Sequence, residues 1–332
     1  MKRILIFLLF ISLLQSGYAQ IIRGIILDKS NDAKIGYATV YFDGTFVGTN
    51  SDQNGNFELD ISKYNSMPLT ISALGYNRIT IADFEKNEPL VIYLTPKFFE
   101  LKEVVINSKK YSKERVENLA IFRKVFLGDT ENGRNCLIMN EKDISFSYDA
   151  AGDTLKAFAQ KPLLIVNKKL GYTITYFLNK FEYCKQDKYF IYDGNSIFKK
   201  DSTGGIAQRQ AFERRRRYAY IGSRMQFFRE LWKKDIDDSG FRIINSFDEL
   251  LSFNDVVKTK DDQKKFFSYN GPLIISYYRR GESSYVKFLK KEVFFDQNGY
   301  SDPSGILWKG QMSKLRVGDM LPYEYAGIYK LN

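Results

Sequence analysis

The stretch GTNSDQNGNFELDI, Gly48–Ile61, decides how the first part of the chain folds. Asn54-Gly55 supplies the pair that most readily takes positive φ, as a tight hairpin turn requires, and Phe57 then enters a core at the start of the next strand. Outward from this turn the chain breaks into short strand-like runs: IIRGIILD (Ile21–Asp28), IGYATVYF, TFVGTNS, NFELDI, PLTISALGY, NRITIADF and PLVIYLTP (Pro89–Pro96). Gly, Asn and Asp punctuate them at about ten-residue spacing, and no helical period of comparable length interrupts them. That pattern predicts an antiparallel β-sandwich. Gly75 permits a bend before Tyr76.

Oxygen-bearing side chains at alternate positions of Asp52–Asn56 also raise a calcium loop. An EF-hand loop places its Gly sixth and a Glu twelfth, and here the Gly is fourth. The same DQNG recurs at Asp296–Gly299 between two strand-like runs, which favours turn chemistry at both places.

Gly24 and Asp28, Ala38 and Val40, GTNSDQNGNF (Gly48–Phe57) and ISALGY (Ile71–Tyr76) together resemble the carboxypeptidase-D regulatory-like domain. The resemblance implies a transthyretin-like sandwich of about seven strands, here over residues 20–106. It does not imply a peptidase, because the catalytic unit of those enzymes is a separate zinc domain with histidine ligands and this chain contains no histidine. The same sandwich resembles the N-terminal extension of TonB-dependent outer-membrane receptors, and FFELKEVVI (Phe98–Ile106) looks like the segment that follows it there. A receptor barrel of about 22 strands needs far more chain than the roughly 225 residues that remain.

Compartment is read from MKRILIFLLFISLLQSGYAQ. Lys2 and Arg3, an apolar run over Ile4–Leu14, and small residues before Gln20 form the three parts of a secretory signal peptide over residues 1–19. The apolar run is too short to span a bilayer, and no later segment predicts a transmembrane helix in the mature chain. Export to the periplasm, the outer membrane or beyond is the expectation. The formal charge of +11 then directs the chain toward anionic glycan, anionic lipid or an acidic envelope protein rather than nucleic acid.

The absence of histidine excludes Ser-His-Asp and Cys-His hydrolases and His-ligated zinc enzymes. No cofactor, metal site or catalytic residue is predicted. A carboxylate-type glycan hydrolase survives only as an alternative, with Asp296 and Asp302 in a Gly- and Pro-containing stretch that reads better as a loop. Cys136 and Cys184 either pair, as an oxidising compartment allows, or remain buried thiols; spacing does not choose.

Residues 107–128 read as a charged linker and a helix that begins near Ser112 and ends at Gly128. Residues 129–332 read as an α+β, strand-rich domain, so the chain as a whole is mainly β. FLGDTENGRNCLIMNEKDISFSYD, LIVNKKLGYTITYFLNKFEY and RRRRYAYIGSRMQFFRELW resemble the second half of other exported proteins that carry this sandwich, a half with no activity attached to it. Within QAFERRRRYAYIGSRMQFFRELW (Gln210–Trp232), Tyr218, Ile221, Met225, Phe228 and Trp232 keep the spacing of one apolar helical face. Ser223 and Gln226 alternatively suggest a capping box that separates two helices at Gly222. Arg214, Arg215, Arg216 and Arg217 fan out over the helix end, either as solvated charges or as a site for an anion. The reading that unites these features is a non-catalytic, exported cell-envelope protein, a binding or assembly module; an anion binder acting through the arginines is the alternative.

Overall fold

The computed structural model describes residues 20–64, 66–84, 88–97, 113–261 and 264–327. The expected signal peptide, FFELKEVVI and the linker lie outside them. The chain divides into two compact units: one takes residues up to Val40, Thr49–Asn65 and Thr70–Lys97, and the other Tyr41–Gly48, Ser66–Leu69 and everything from Phe98.

Seven N-terminal strands form two sheets: β1 (Ile21–Asp28), β2 (Thr39–Phe42), β3 (Gly48–Asn50), β4 (Asn56–Asp60), β5 (Leu69–Ser72), β6 (Ile79–Ile81) and β7 (Leu90–Leu94). One sheet has the order β4-β1-β7 and the other β3-β2-β5-β6. Alternation along β4 buries Phe57 and Leu59 while Asn56, Glu58 and Asp60 face out. Ile22, Ile26, Val40, Ile71 and Ile92 complete an apolar interior, as a sandwich requires. The expectation of an all-antiparallel sandwich is corrected at one pair, because β1 runs parallel to β7 with Gly24 opposite Leu90. A Cβ at Gly24 would lie 2.5 Å from the Leu90 carbonyl and 2.7 Å from the Phe57 ring, so this glycine lets Phe57 lie over β1. Gly75 has φ +84°, and the bend it makes delivers the Tyr76 hydroxyl to Asp28 Oδ2 at 2.8 Å.

The larger unit opens with helix α1 (Lys113–Leu127). Its end was legible in the sequence: Gly128 follows with φ +97°. The expected apolar stripe is narrower than its residues suggested, since Val116 is exposed while Phe122, Val125 and Phe126 are buried. A short helix α2 (Glu131–Arg134) precedes β8 (Cys136–Ile138), β9 (Ile144–Asp149), β10 (Thr154–Ala159), β11 (Leu163–Asn167), β12 (Tyr172–Cys184) and β13 (Tyr189–Lys200). These six strands form one sheet ordered β8-β11-β12-β10-β9, with β13 paired to β12. Aromatic residues of α1 pack on it, with Phe122 against Phe181 at 4.7 Å and Phe126 against Tyr176 at 4.9 Å between ring centroids.

Helices α3 (Ile206–Tyr220) and α4 (Arg224–Lys233) follow, then β14 (Phe241–Asn245), β15 (Leu250–Leu251), β16 (Val257–Asp261), β17 (Lys264–Phe267), β18 (Leu273–Tyr277), β19 (Glu282–Phe288), β20 (Val293–Phe295) and β21 (Ile306–Gly310). They make a five-stranded sheet, β15-β14-β18-β19-β21, and a three-stranded one, β16-β17-β20. Phe227, Phe228 and Leu231 of α4 enter the core that these sheets share.

Candidate functional site

The segment Gln210–Trp232 folds as two helices, and the reason is local. Ser223 accepts a hydrogen bond from the Gln226 amide at 3.2 Å, Gln226 Oε1 accepts from the Gly222 amide at 2.7 Å, and Gly222 has φ +79°. The single apolar face through Tyr218 is therefore corrected. Tyr218 is 68% exposed, and Phe212, Ala219 and Tyr220 turn inward from α3 instead.

The four arginines diverge, as the helical rotation of 100° per residue dictates. Arg216 is buried. Its Nε donates to the Leu170 carbonyl at 2.8 Å, its Nη2 to the Gly171 carbonyl at 3.2 Å and its Nη1 to Glu213 at 2.6 Å, while the guanidinium lies 4.2 Å from the Tyr172 ring. This arginine ties α3 to the β11–β12 turn, and its charge is satisfied there. Arg215 reaches the Lys169 carbonyl of the same turn at 3.4 Å. Arg217 is half-buried, and Arg214 alone of the four has an exposed head.

Arg214 faces an open groove of 770 Å³, walled also by Lys200, Ile206, Arg209 and Gln210. Lys200 and Arg209 were not singled out in the sequence, because Lys200 ends β13 and reaches the groove only through the tertiary fold. Both carboxylates in the wall are engaged. Glu213 holds Arg216, and Asp201 accepts from the Thr203 hydroxyl at 2.6 Å and amide at 2.8 Å, bonds that hold its carboxyl below the usual range. Lys200, Arg209 and Arg214 form no ion pair among the described residues, which leaves the groove with net positive character.

Turn chemistry governs both DQNG sequences. Asp52 Oδ1 accepts from the Asn54 and Asn56 amides at 2.8 and 2.9 Å, with Gly55 at φ +79°. Asp296 Oδ1 repeats this with Asn298 and Tyr300 at 2.8 and 3.0 Å, with Gly299 at φ +83°. Among the described residues no cluster of three or more His, Cys, Asp and Glu has a geometry that could hold a metal. Asp302 is likewise occupied, by Lys290 at 2.6 Å and by the Ser304 hydroxyl.

Asp296 differs from Asp52 in being fully buried, and loss of hydration raises its carboxyl from 3.8 to about 6, only partly offset by bonds from Asn298 and Tyr300. The native state thus binds this proton more tightly than the unfolded chain. The contribution of Asp296 to stability is greatest below about pH 4, falls as pH rises toward 6, and is flat above; the amplitude is roughly 3 kcal/mol. Asp296→Asn is expected to abolish this slope, which urea unfolding of both proteins from pH 4 to pH 7.5 measures. A difference between them that stays constant over that range would show that the burial is not felt by the carboxyl.

The thiol question is answered by topology. Both cysteines are free. Cys136 pairs with Asn167 and Asn167 with Tyr172, at one end of β12, whereas Cys184 is the last residue at the other end. Twelve steps of an extended strand separate the two ends by about 40 Å, against the roughly 7 Å that a disulfide tolerates. Burial pushes the Cys136 thiol up to about 12, so it is inert as a nucleophile.

No curated protein matches the chain. Among solved structures it is similar to a Bacteroides fragilis NCTC 9343 protein described as a candidate membrane-associated protein of unknown function. That superposition has 10% identity and a TM-score of 0.18, over 87% of this chain and 94% of the other. No helix among the described residues is long and apolar enough to cross a membrane. Residues 22–106 match the family model of the CarboxypepD_reg-like domain, and the seven strands described there form the two sheets that the sequence resemblance implies.

Proposed function

We propose that the chain is a non-catalytic, exported binding protein of a Gram-negative cell envelope, in which the sandwich serves assembly and the larger unit holds an anionic group, carboxylate or phosphate, in the α3 groove. One observation carries the reading. Arg216 is consumed by backbone carbonyls, while Lys200, Arg209 and Arg214 surround an open groove without carboxylate partners. Cations so placed attract an anion at long range and bind it by charge-assisted hydrogen bonds. Export is supported by the signal-peptide features of residues 1–19, and the assembly role by the regulatory-like domain.

Calorimetric titration of the mature chain, starting at Gln20, with inorganic pyrophosphate tests the groove. Binding is expected to weaken with salt and to fall by about tenfold or more when Lys200, Arg209 and Arg214 are all replaced by Gln, a loss of about 1.4 kcal/mol or more. Equal affinity for the parent and the triple variant would remove the groove as the site. Arg216→Gln is not a substitute for this test, because it strands the Leu170 and Gly171 carbonyls and reports on folding.

A further inference from the structure

The five-stranded sheet of the larger unit has two very different faces. One buries Phe241, Ile243, Leu273, Ile275 and Val286 in the core. The other follows from the register. Leu250 pairs with Ile244, Ile244 with Ile274, Ile274 with Tyr285, and Tyr285 with Lys309, a single row that crosses all five strands. On one side of this row lie Arg242, Ser276 and Ser283, which pair with one another in turn; on the other lie Lys287 and Leu307. Leu250 and Tyr285 are 61% and 41% exposed, and Arg242, Lys287 and Lys309 are exposed as well.

An antiparallel sheet with one solvated face ordinarily carries polar residues of both signs there. Here the strand positions of the outer face hold three cations, an aromatic ring and a row of aliphatic side chains, and no carboxylate. Glu282 belongs to the opposite face of β19, together with Ser284 and Val286, by the alternation of the strand. Arg242, Lys287 and Lys309 form no ion pair among the described residues, and the Arg242 guanidinium lies 5.2 Å from the Tyr278 ring, itself 47% exposed. The short helix Gln311–Lys314 does not cover this face, since its Met312 amide donates to the buried Ser284 hydroxyl on the other side.

We infer that this face is a docking platform for an extended acidic polysaccharide lying across the strands. The row of Ile244, Ile274 and Tyr285 offers apolar and aromatic surface to the C–H faces of sugar rings, and the flanking cations meet their acidic groups. The row crosses four strand spacings, about 19 Å in all, so it is suited to a polymer rather than to a small molecule. A second copy of the chain laid face to face would set cations against cations, which charge complementarity disfavours. The preference for a polysaccharide over a nucleic acid rests on the export reading above.

The test is affinity electrophoresis of the full mature chain through gels containing alginate, with dextran as the neutral comparison and phosphatidylglycerol vesicles assayed separately by sedimentation. The parent is expected to be retarded by alginate and not by dextran. Arg242→Gln, Lys287→Gln and Lys309→Gln together should weaken alginate binding by tenfold or more, and Tyr285→Ala alone by roughly tenfold even at high salt, where charge is screened. The Lys200, Arg209 and Arg214 triple variant should bind alginate as the parent does, which separates failure of this inference from failure of the groove. All substituted positions are exposed, and circular dichroism checks that each variant is folded. No retardation of the parent, unchanged binding in both platform variants, or losses confined to the vesicles would overturn the proposal.

Discussion

Replacing Gly318 by alanine is expected to cost about 3 kcal/mol or more, or to prevent folding altogether. Gly318 lies in a short turn of helix, Val317–Asp319, and its φ is ordinary, so the penalty is steric. A Cβ there would stand 2.4 Å from Gly133 Cα, 2.6 Å from the Leu127 carbonyl and 2.8 Å from the Gly133 nitrogen. All three are backbone atoms, and none can swing aside. The contact is also fastened by polar bonds. Thr130 and Asn132 both donate to the buried Asp319 carboxylate at 2.8 Å, and Asn167 donates to the Gly318 carbonyl at 2.8 Å. Moving the backbone to admit a methyl group would therefore break bonds whose acceptors are out of reach of water. Gly75→Ala is the matched comparison, because Gly75 has φ +84° but nothing within 4 Å of its missing Cβ, so it should cost only about 1–2 kcal/mol. Urea unfolding midpoints read both. A Gly318 variant no less stable than the Gly75 variant would mean that the two backbones do not approach as described.

Arg229→Ala should be of similar size, about 3–5 kcal/mol, for a different reason. The Arg229 side chain is buried, and each of its three nitrogens donates to a backbone carbonyl: Nε to Asn298 at 2.9 Å, Nη1 to Tyr325 at 2.6 Å and Nη2 to Tyr323 at 2.9 Å. Its guanidinium also lies 5.4 Å from the Tyr220 ring. Truncation leaves three carbonyls without their donor and opens a cavity between α4 and the segment around Tyr323–Tyr325. Lysine keeps the charge but not the planar fork, so Arg229→Lys is expected to recover less than half of the loss. Hydrogen exchange at the Tyr323 and Tyr325 amides, which bond to the Gly44 and Pro322 carbonyls, localises the effect. Full recovery by lysine would show that charge alone, and not the fork, secures this segment.

What could be read in the sequence was what short-range chemistry dictates. The Asn54-Gly55 turn, the strand runs on either side of it, the stop of α1 at Gly128 and the break at Gly222 each follow from a residue and its near neighbours. The rest was decided at a distance. Arg216 is buried because the Leu170 and Gly171 carbonyls, some 45 positions earlier in the chain, are delivered to it by a β-turn. β7 lies parallel to β1 although five other strands separate them in sequence, so no local signal encodes the pairing. The strands between Leu250 and Phe267 carry little local signal, since they are short and hold Lys and Asp among their apolar residues. Of the site, Arg214 was legible as part of an arginine run. Arg209 precedes it by five residues on the same helix, outside the run, whereas Lys200 joins it only through the tertiary fold, and the outer face of the five-stranded sheet appears only once the register is known.

The two Asp-capped turns also bear on how the protein ages. Asn followed by Gly is the dipeptide most prone to deamidation, because the glycine nitrogen is free to attack the asparagine amide and close a succinimide. In both turns that nitrogen is already committed, Gly55 donating to the Asp52 carbonyl at 3.0 Å and Gly299 to the Asp296 carbonyl at 3.1 Å. While the chain stays folded the attacking group is held away from its target, and each opening of a turn sets it loose. Isoaspartate at Asn54 and Asn298 would then accumulate in proportion to the time each turn has spent open, leaving a chemical record of past unfolding in the covalent chain.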